Sequence, residues 1–168
     1  SGTAASYWSN RLTCNAPLQV VAKLDPPTCT PTSAILGQAG MTEVYRDFPS
    51  APKAATWYPV ALTSALESTD ANPALHDIAA TFNSTLDSSL TCLGGIGWFY
   101  AIGVATPLGE ISLYETVRHE IAHGLGFATV TNGTTAVRLQ GFADVYMTFL
   151  ADHSTGKTWT QMTNGERA

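Results

Sequence analysis

Apolar positions along this chain fall in blocks separated by proline, glycine and polar runs. The first block, Leu18 to Leu24, contains Val20 and Val21 and is stopped by Pro26-Pro27, which predicts a strand. Residues 1–17 before it are polar and irregular. Residues 25–56 carry many Pro, Gly and Thr, so they predict loop with short extended pieces. Pro59 suits a first helical position, and Val60, Leu62, Ala65 and Leu66 supply an apolar face, so a helix is predicted over Pro59 to Glu67. His76 to Asn83 alternates around Ile78, Ala80 and Phe82, the pattern of a half-buried strand. Trp98 to Val104 follows Gly94, Gly95 and Gly97 and predicts another strand, closed by a turn at Pro107 and Gly109.

The best-defined element comes next. Ser112 and Glu115 have the spacing of a capping box. Val117, Ile121 and Leu125 recur every four residues as a buried stripe, and Gly126 is suited to a left-handed cap. A helix over Leu113 to Leu125 is therefore written with both its ends. A polar turn at 131–135 follows. Asp144 to Ala151 predicts a short helix or an extended segment, and Gln161 to Arg167 a helical tail. Strands before the helix and more helix after it predict an α+β domain and not a parallel βαβ fold.

With 168 residues, 45 % of them hydrophobic, the chain has the size and composition of one folded domain spanning 1–168. Only 12 % are charged, about half the usual share, so Ser, Thr, Asn, Gly and Ala must cover much of the surface. The net charge is −5 and the eight Lys and Arg are scattered singly, which leaves no footprint for nucleic acid. No run of eighteen apolar residues predicts a membrane span. The polar opening Ser1 to Ser6 fits a mature secreted chain or a trimmed one, and the polar run ending at Ala168 suggests a longer parent. Three cysteines allow one internal disulfide, Cys29–Cys92 or Cys14–Cys29, and exclude CxxC chemistry. Asn83-Ser84-Thr85 and Asn132-Gly133-Thr134 match the N-glycosylation pattern, although Asn132-Gly133 is more simply a turn.

The chemistry concentrates on the predicted helix. His119-Glu120-Ile121-Ala122-His123 is an HExxH pattern. Residues four apart lie one turn above each other on a helix, so His119 and His123 can offer nitrogens to one tetrahedral cation, for which zinc is the usual occupant. Glu120, on the flank of that face, can reach a water as general base without ligating the metal. The bland reading is an amphipathic helix with surface His and Glu.

A catalytic zinc needs a third protein donor. Thr129 stands where the metzincin pattern would place a third His. Asp144, twenty-one residues after His123, is the first candidate, ahead of Asp152, His153 and then His76. Asp144 reads equally as a cap or turn residue. Tyr146 is a candidate oxyanion donor or a packing residue. Arg118 has the spacing to pair with Glu115.

The segment His119 to Phe127, HEIAHGLGF, resembles the zincin metallopeptidases, and more closely the secreted bacterial zinc peptidases often found with a protease-associated domain. Thr56-Trp57-Tyr58, Ala61-Leu62, Asp77-Ile78, Phe82-Asn83-Ser84, Cys92-Leu93 and Trp98-Phe99-Tyr100 resemble blocks of that family in order. Gly141-Phe142, Asp144 to Leu150, Gly156-Lys157 and Met162-Thr163 continue the likeness, which covers about residues 18–168. It implies a mixed twisted sheet, an active-site helix beneath it and a cleft for an extended substrate. Trp98 to Val104 is then placed as the strand to which a peptide would add, or else as a core strand. The expectation is a secreted Zn2+-dependent endopeptidase acting on protein or peptide substrates. The alternatives are a zincin-like binding module without turnover and a zinc amidase.

Overall fold

The structure is a computed structural model that describes residues 3–168. Helix α1 spans Ala4–Ser9, with the Thr3 hydroxyl capping it by accepting from the Ser6 amide at 3.1 Å. Strand β1 (Val20–Asp25) follows, then β2 (Gly37–Met41), β3 (Val44–Tyr45) and β4 (Thr56–Pro59). Helix α2 (Val60–Glu67) begins directly after Pro59, whose fixed φ feeds the first turn, and stops at left-handed Ser68. Strand β5 is Ile78–Asn83, followed by the short β6 (Gly97–Phe99) and β7 (Glu110–Ser112). Helix α3 (Leu113–Leu125) precedes β8 (Ala143–Asp144), β9 (Ala151–Asp152), β10 (Lys157–Thr158) and helix α4 (Asn164–Arg167).

The central sheet has the order β1-β5-β2. Strand β1 runs parallel to β5, with Val20 opposite Ile78 and Asp25 opposite Asn83. Strand β2 runs antiparallel to β5, with Gly37 opposite Phe82 and Met41 opposite Ile78. Buried Asp77 pins the entry to this sheet, its carboxylate accepting from the Gln19 amide at 2.7 Å. The mixed sheet and four helices make an α+β fold, in agreement with the sequence.

Helix α3 lies on β2 and β5. Ile121 packs on the fully buried Ile78 together with Ala4, and Trp8, Ala39, Val117 and Leu125 close around them. Burying a side chain the size of Ile78 or Ile121 contributes about 1.5–3 kcal/mol. The approach is unusually close, because a Cβ on Gly124 would stand 2.3 Å from Ile78 Cγ2. Strand β2 gives similar access, since a Cβ on Gly37 would meet Phe82 at 3.0 Å and the Glu120 stem at 3.2 Å. A second core joins Leu86, Cys92 and Trp98, fastened by the Cys29–Cys92 disulfide. Cys14 is free.

Several elements differ from the sequence reading, among them helix α1, which lies in the span 1–17 read as irregular. Strand β2 is one of the short extended pieces expected within 25–56, although its Gly-Gln-Ala-Gly-Met sequence lacks the β-branched residues that would locate it. Strand β6 is only three residues long, not Trp98 to Val104. It pairs in parallel with β7 alone, and Tyr100, Ile102 and Val104 are exposed beyond it. Trp98 itself is core, its indole N–H donating to the Asn83 carbonyl at 2.7 Å. The helical tail contracts to α4, started by a complete Thr163–Glu166 capping box. The segment 144–151 resolves into a strand residue, a 3-10 turn over Tyr146–Phe149 and the start of β9.

Candidate metal centre

Both predicted ends of α3 are present. The Ser112 hydroxyl accepts from the Glu115 amide at 3.2 Å. The reciprocal arm of the box is missing, since the Glu115 carboxylate grips Arg118 through bonds of 2.9 and 2.7 Å instead. Gly126 closes the helix at φ 118°, and the Phe127 amide donates back to the Ala122 carbonyl at 3.0 Å.

Between those ends the helix brings His119 and His123 together. Their Nε2 atoms are 3.0 Å apart, with His119 exposed and His123 half-buried. The Nδ1 atom of His123 lies 2.8 Å from the Phe127 carbonyl oxygen. A carbonyl can only accept, so Nδ1 carries the hydrogen and neutral His123 presents a lone pair at Nε2. Two nitrogens bound tetrahedrally to zinc at 2.0–2.1 Å stand about 3.3 Å apart, close to the separation here. A backbone carbonyl orienting a ligating imidazole is the usual outer-shell arrangement of such sites. The imidazole pair therefore fits a zinc ion.

Glu120 is 8 % exposed, and its carboxylate makes no hydrogen bond among the described residues. Its stem rests against the open backbone of Gly37 on β2. On the other flank of α3, a hollow of about 400 Å³ beside His119 is lined by Tyr7, Trp8, Glu115, Arg118 and Ala122. Trp8 donates its indole N–H to the Arg118 carbonyl at 3.2 Å, and the Arg118 guanidinium stacks 3.5 Å from the Tyr7 ring centre.

Asp144 does not join the imidazole pair. It is 3 % exposed, and both carboxylate oxygens are occupied. Oδ2 accepts from the Thr129 hydroxyl at 2.5 Å and the Val130 amide at 3.0 Å, and Oδ1 accepts from the Met147 amide at 2.7 Å. The carboxylate thus ties the loop after α3 to the 3-10 turn that begins at Tyr146. Asp152 is similarly engaged, with Ser154 and Thr155 hydrogen bonds holding its carboxyl below the usual range. His76 and His153 are exposed. Among the described residues, no three His, Cys, Asp or Glu side chains converge as a metal-binding group. Tyr146 is half-buried, with its ring 6.3 Å from that of Phe127.

Sequence reasoning missed three contributors: the Phe127 carbonyl, the β2 floor at Gly37, and the α1 aromatics. Thr3 before an Ala-rich segment was a readable cap for α1. A carbonyl acceptor leaves no side-chain signal. Comparison with protein-family models, with curated proteins and with solved structures finds no match for this chain.

Proposed function

We propose that this chain is a zinc-dependent peptidase domain of the zincin kind, with the α3 imidazole pair as its metal-holding group. The observation that carries the reading is the paired Nε2 atoms at 3.0 Å, one of them oriented by the Phe127 carbonyl, beside a carboxylate with no protein partner. Zinc bound there would lower the pKa of a water and polarise a scissile carbonyl. His119 and His123 would hold the ion through Nε2. Glu120 accepts a proton from the attacking water and returns it to the departing amine. The Tyr146 hydroxyl would donate to the developing oxyanion. The outer edge of β2, unpaired among the described residues and next to Glu120, takes the place given above to Trp98 to Val104 as the strand a peptide adds to. The Cys29–Cys92 bridge fits an oxidising, extracellular setting.

A second reading, a zincin-like module that binds without turnover, draws on the lack of a third converging donor among the described residues. Asp144 is held away from that role by the bonds of its carboxylate to Thr129, Val130 and Met147. The test is zinc content and hydrolysis of an unfolded protein substrate, for the parent chain and Glu120→Gln. The expected result is about one zinc in both, with hydrolysis in the parent alone, reduced at least about a hundredfold in the variant. Bound zinc without any hydrolysis favours the binding module. Cleavage restricted to amide bonds of cell-wall material favours the amidase.

A further inference from the structure

Of the eight Lys and Arg in the chain, four are held in ion pairs: Lys23 with Asp25, Arg46 with Asp47, Arg118 with Glu115 and Lys157 with Glu166. Two of the others, Arg138 and Arg167, are far apart in sequence, yet they line one open pocket of about 330 Å³ with Val137, Gly141, Met162 and Asn164. Neither has a carboxylate within 4.0 Å among the described residues. The Nε atoms of both are buried and have no hydrogen-bond partner.

The two guanidiniums are held differently. Arg167 donates Nη1 to the Trp159 and Met162 carbonyls and Nη2 to the Ala136 carbonyl and the Asn164 side chain, so it staples the C-terminal turn to the loop at 136. Arg138 makes one bond, from Nη2 to the Thr160 carbonyl at 2.7 Å. It therefore keeps both N–H groups of Nη1 and one of Nη2, the two nitrogens of the end-on fork, without a protein partner among the described residues. Burial first, and the charge of Arg138 second, push the pKa of Arg167 down from its ordinary value. The Glu166 charge works the other way on Arg167 but is outweighed, being bonded to Lys157, so two half-buried like charges line one pocket with no carboxylate of their own.

We infer that the Arg138–Arg167 pocket is a binding site for a compact oxyanion, a carboxylate or phosphate group, gripped by the planar fork of Arg138 while Arg167 supplies the second charge. The fork geometry of guanidinium matches both groups bidentately, and the open mouth admits a group carried on a larger ligand. Gly141, at φ 83°, lets the backbone turn at the pocket wall where no Cβ would meet another atom. This site involves none of the α3 residues and stands whether or not the chain is a peptidase.

The test is calorimetric titration of the full chain with inorganic phosphate and with acetate, against chloride at matched ionic strength. Saturable binding of one or both anions is expected, and the anion that saturates names the class. Arg138→Gln should weaken it by about tenfold or more, with the circular dichroism of the parent retained. Should Arg138→Gln fail to fold, Arg138→Lys keeps the charge and removes the fork, and the same loss is expected. No saturable binding of either anion, or equal binding in the Arg138 variant, overturns the proposal.

Discussion

Two polar groups lie within one short stretch of chain, and the fold treats them in opposite ways. The imidazole pair on α3 has one outer bond, from His123 to Phe127, and is otherwise left to itself. Asp144, the carboxylate that spacing nominated as its companion, has both oxygens taken by Thr129, Val130 and Met147. A buried carboxylate with three donors is a fastening, and removing it strands those donors. Imidazoles at a helix surface whose Nε2 atoms hydrogen-bond only each other add little to stability and can exchange that bond for a cation. Glu120, buried without a partner, belongs with the second kind.

The contrast can be broken most decisively by His123→Ala. Zinc affinity should fall by about a thousandfold or more, some 4 kcal/mol, as one of few donors is lost. The stability of the metal-free variant should stay within about 0.5 kcal/mol of the parent in denaturant unfolding. A large loss of metal-free stability would make His123 a structural residue after all.

Gly124→Ala tests the seat of the helix that carries the imidazole pair. Its Cβ would fall 2.3 Å from Ile78, so the helix or the strand must move, at a cost of about 3 kcal/mol. Differential scanning calorimetry reads this directly, and an unchanged Tm would mean that α3 does not rest on β5 as described.

Asp144→Asn sharpens the comparison from the other side. The neutral amide can keep some of the three bonds and not all, so metal-free stability should drop by about 2 kcal/mol while zinc content stays at the parent level. The reverse result, with zinc lost and metal-free stability kept, would restore Asp144 as the third donor.

The smallest effect is set by pH. Hydrogen bonds from Lys157, and then from the amide and hydroxyl of Thr163, hold the Glu166 carboxyl down to about 2 from its ordinary 4.5. A folded value below the unfolded one means that the capping contribution is fully present above about pH 4.5 and is lost as pH falls towards 2. Amide exchange in α4 should quicken over that window in acid. Glu166→Gln should flatten the dependence.

The parts legible in the sequence were those in which side-chain type and backbone state coincide. Strand β5 announced itself through the alternation of Ile78, Ala80 and Phe82, and α3 through Ser112, its apolar stripe and Gly126. The relation of His119 to His123 followed from helical pitch alone. The position of strand β2 was hidden because its small residues serve close approach and not strand propensity. Trp98 to Val104 misled because exposed aromatic and aliphatic residues look like strand residues until the pairing partner runs out after Phe99. Asp144 was open to two readings, ligand or turn residue, and its bonds fit the turn residue. Sequence distance measures how far a carboxylate can travel, and is silent on the Thr129 hydroxyl and Val130 amide that reach it first. The convergence of Arg138 and Arg167 was invisible for the same reason, being made by the return of the C-terminal turn onto the loop at 136.

The bond from His123 to Phe127 has a dynamic consequence. Its acceptor is the first residue past the glycine that ends α3, so it exists only while the last helical turn is wound. Fraying of that turn would release the imidazole to rotate and swap its proton, and the nitrogen facing His119 would lose its fixed lone pair. Metal capture and the winding of the helix end are thus one equilibrium seen from two sides. An ion held at the pair should slow hydrogen exchange of the Gly126 and Phe127 amides, which close onto His123 and Ala122.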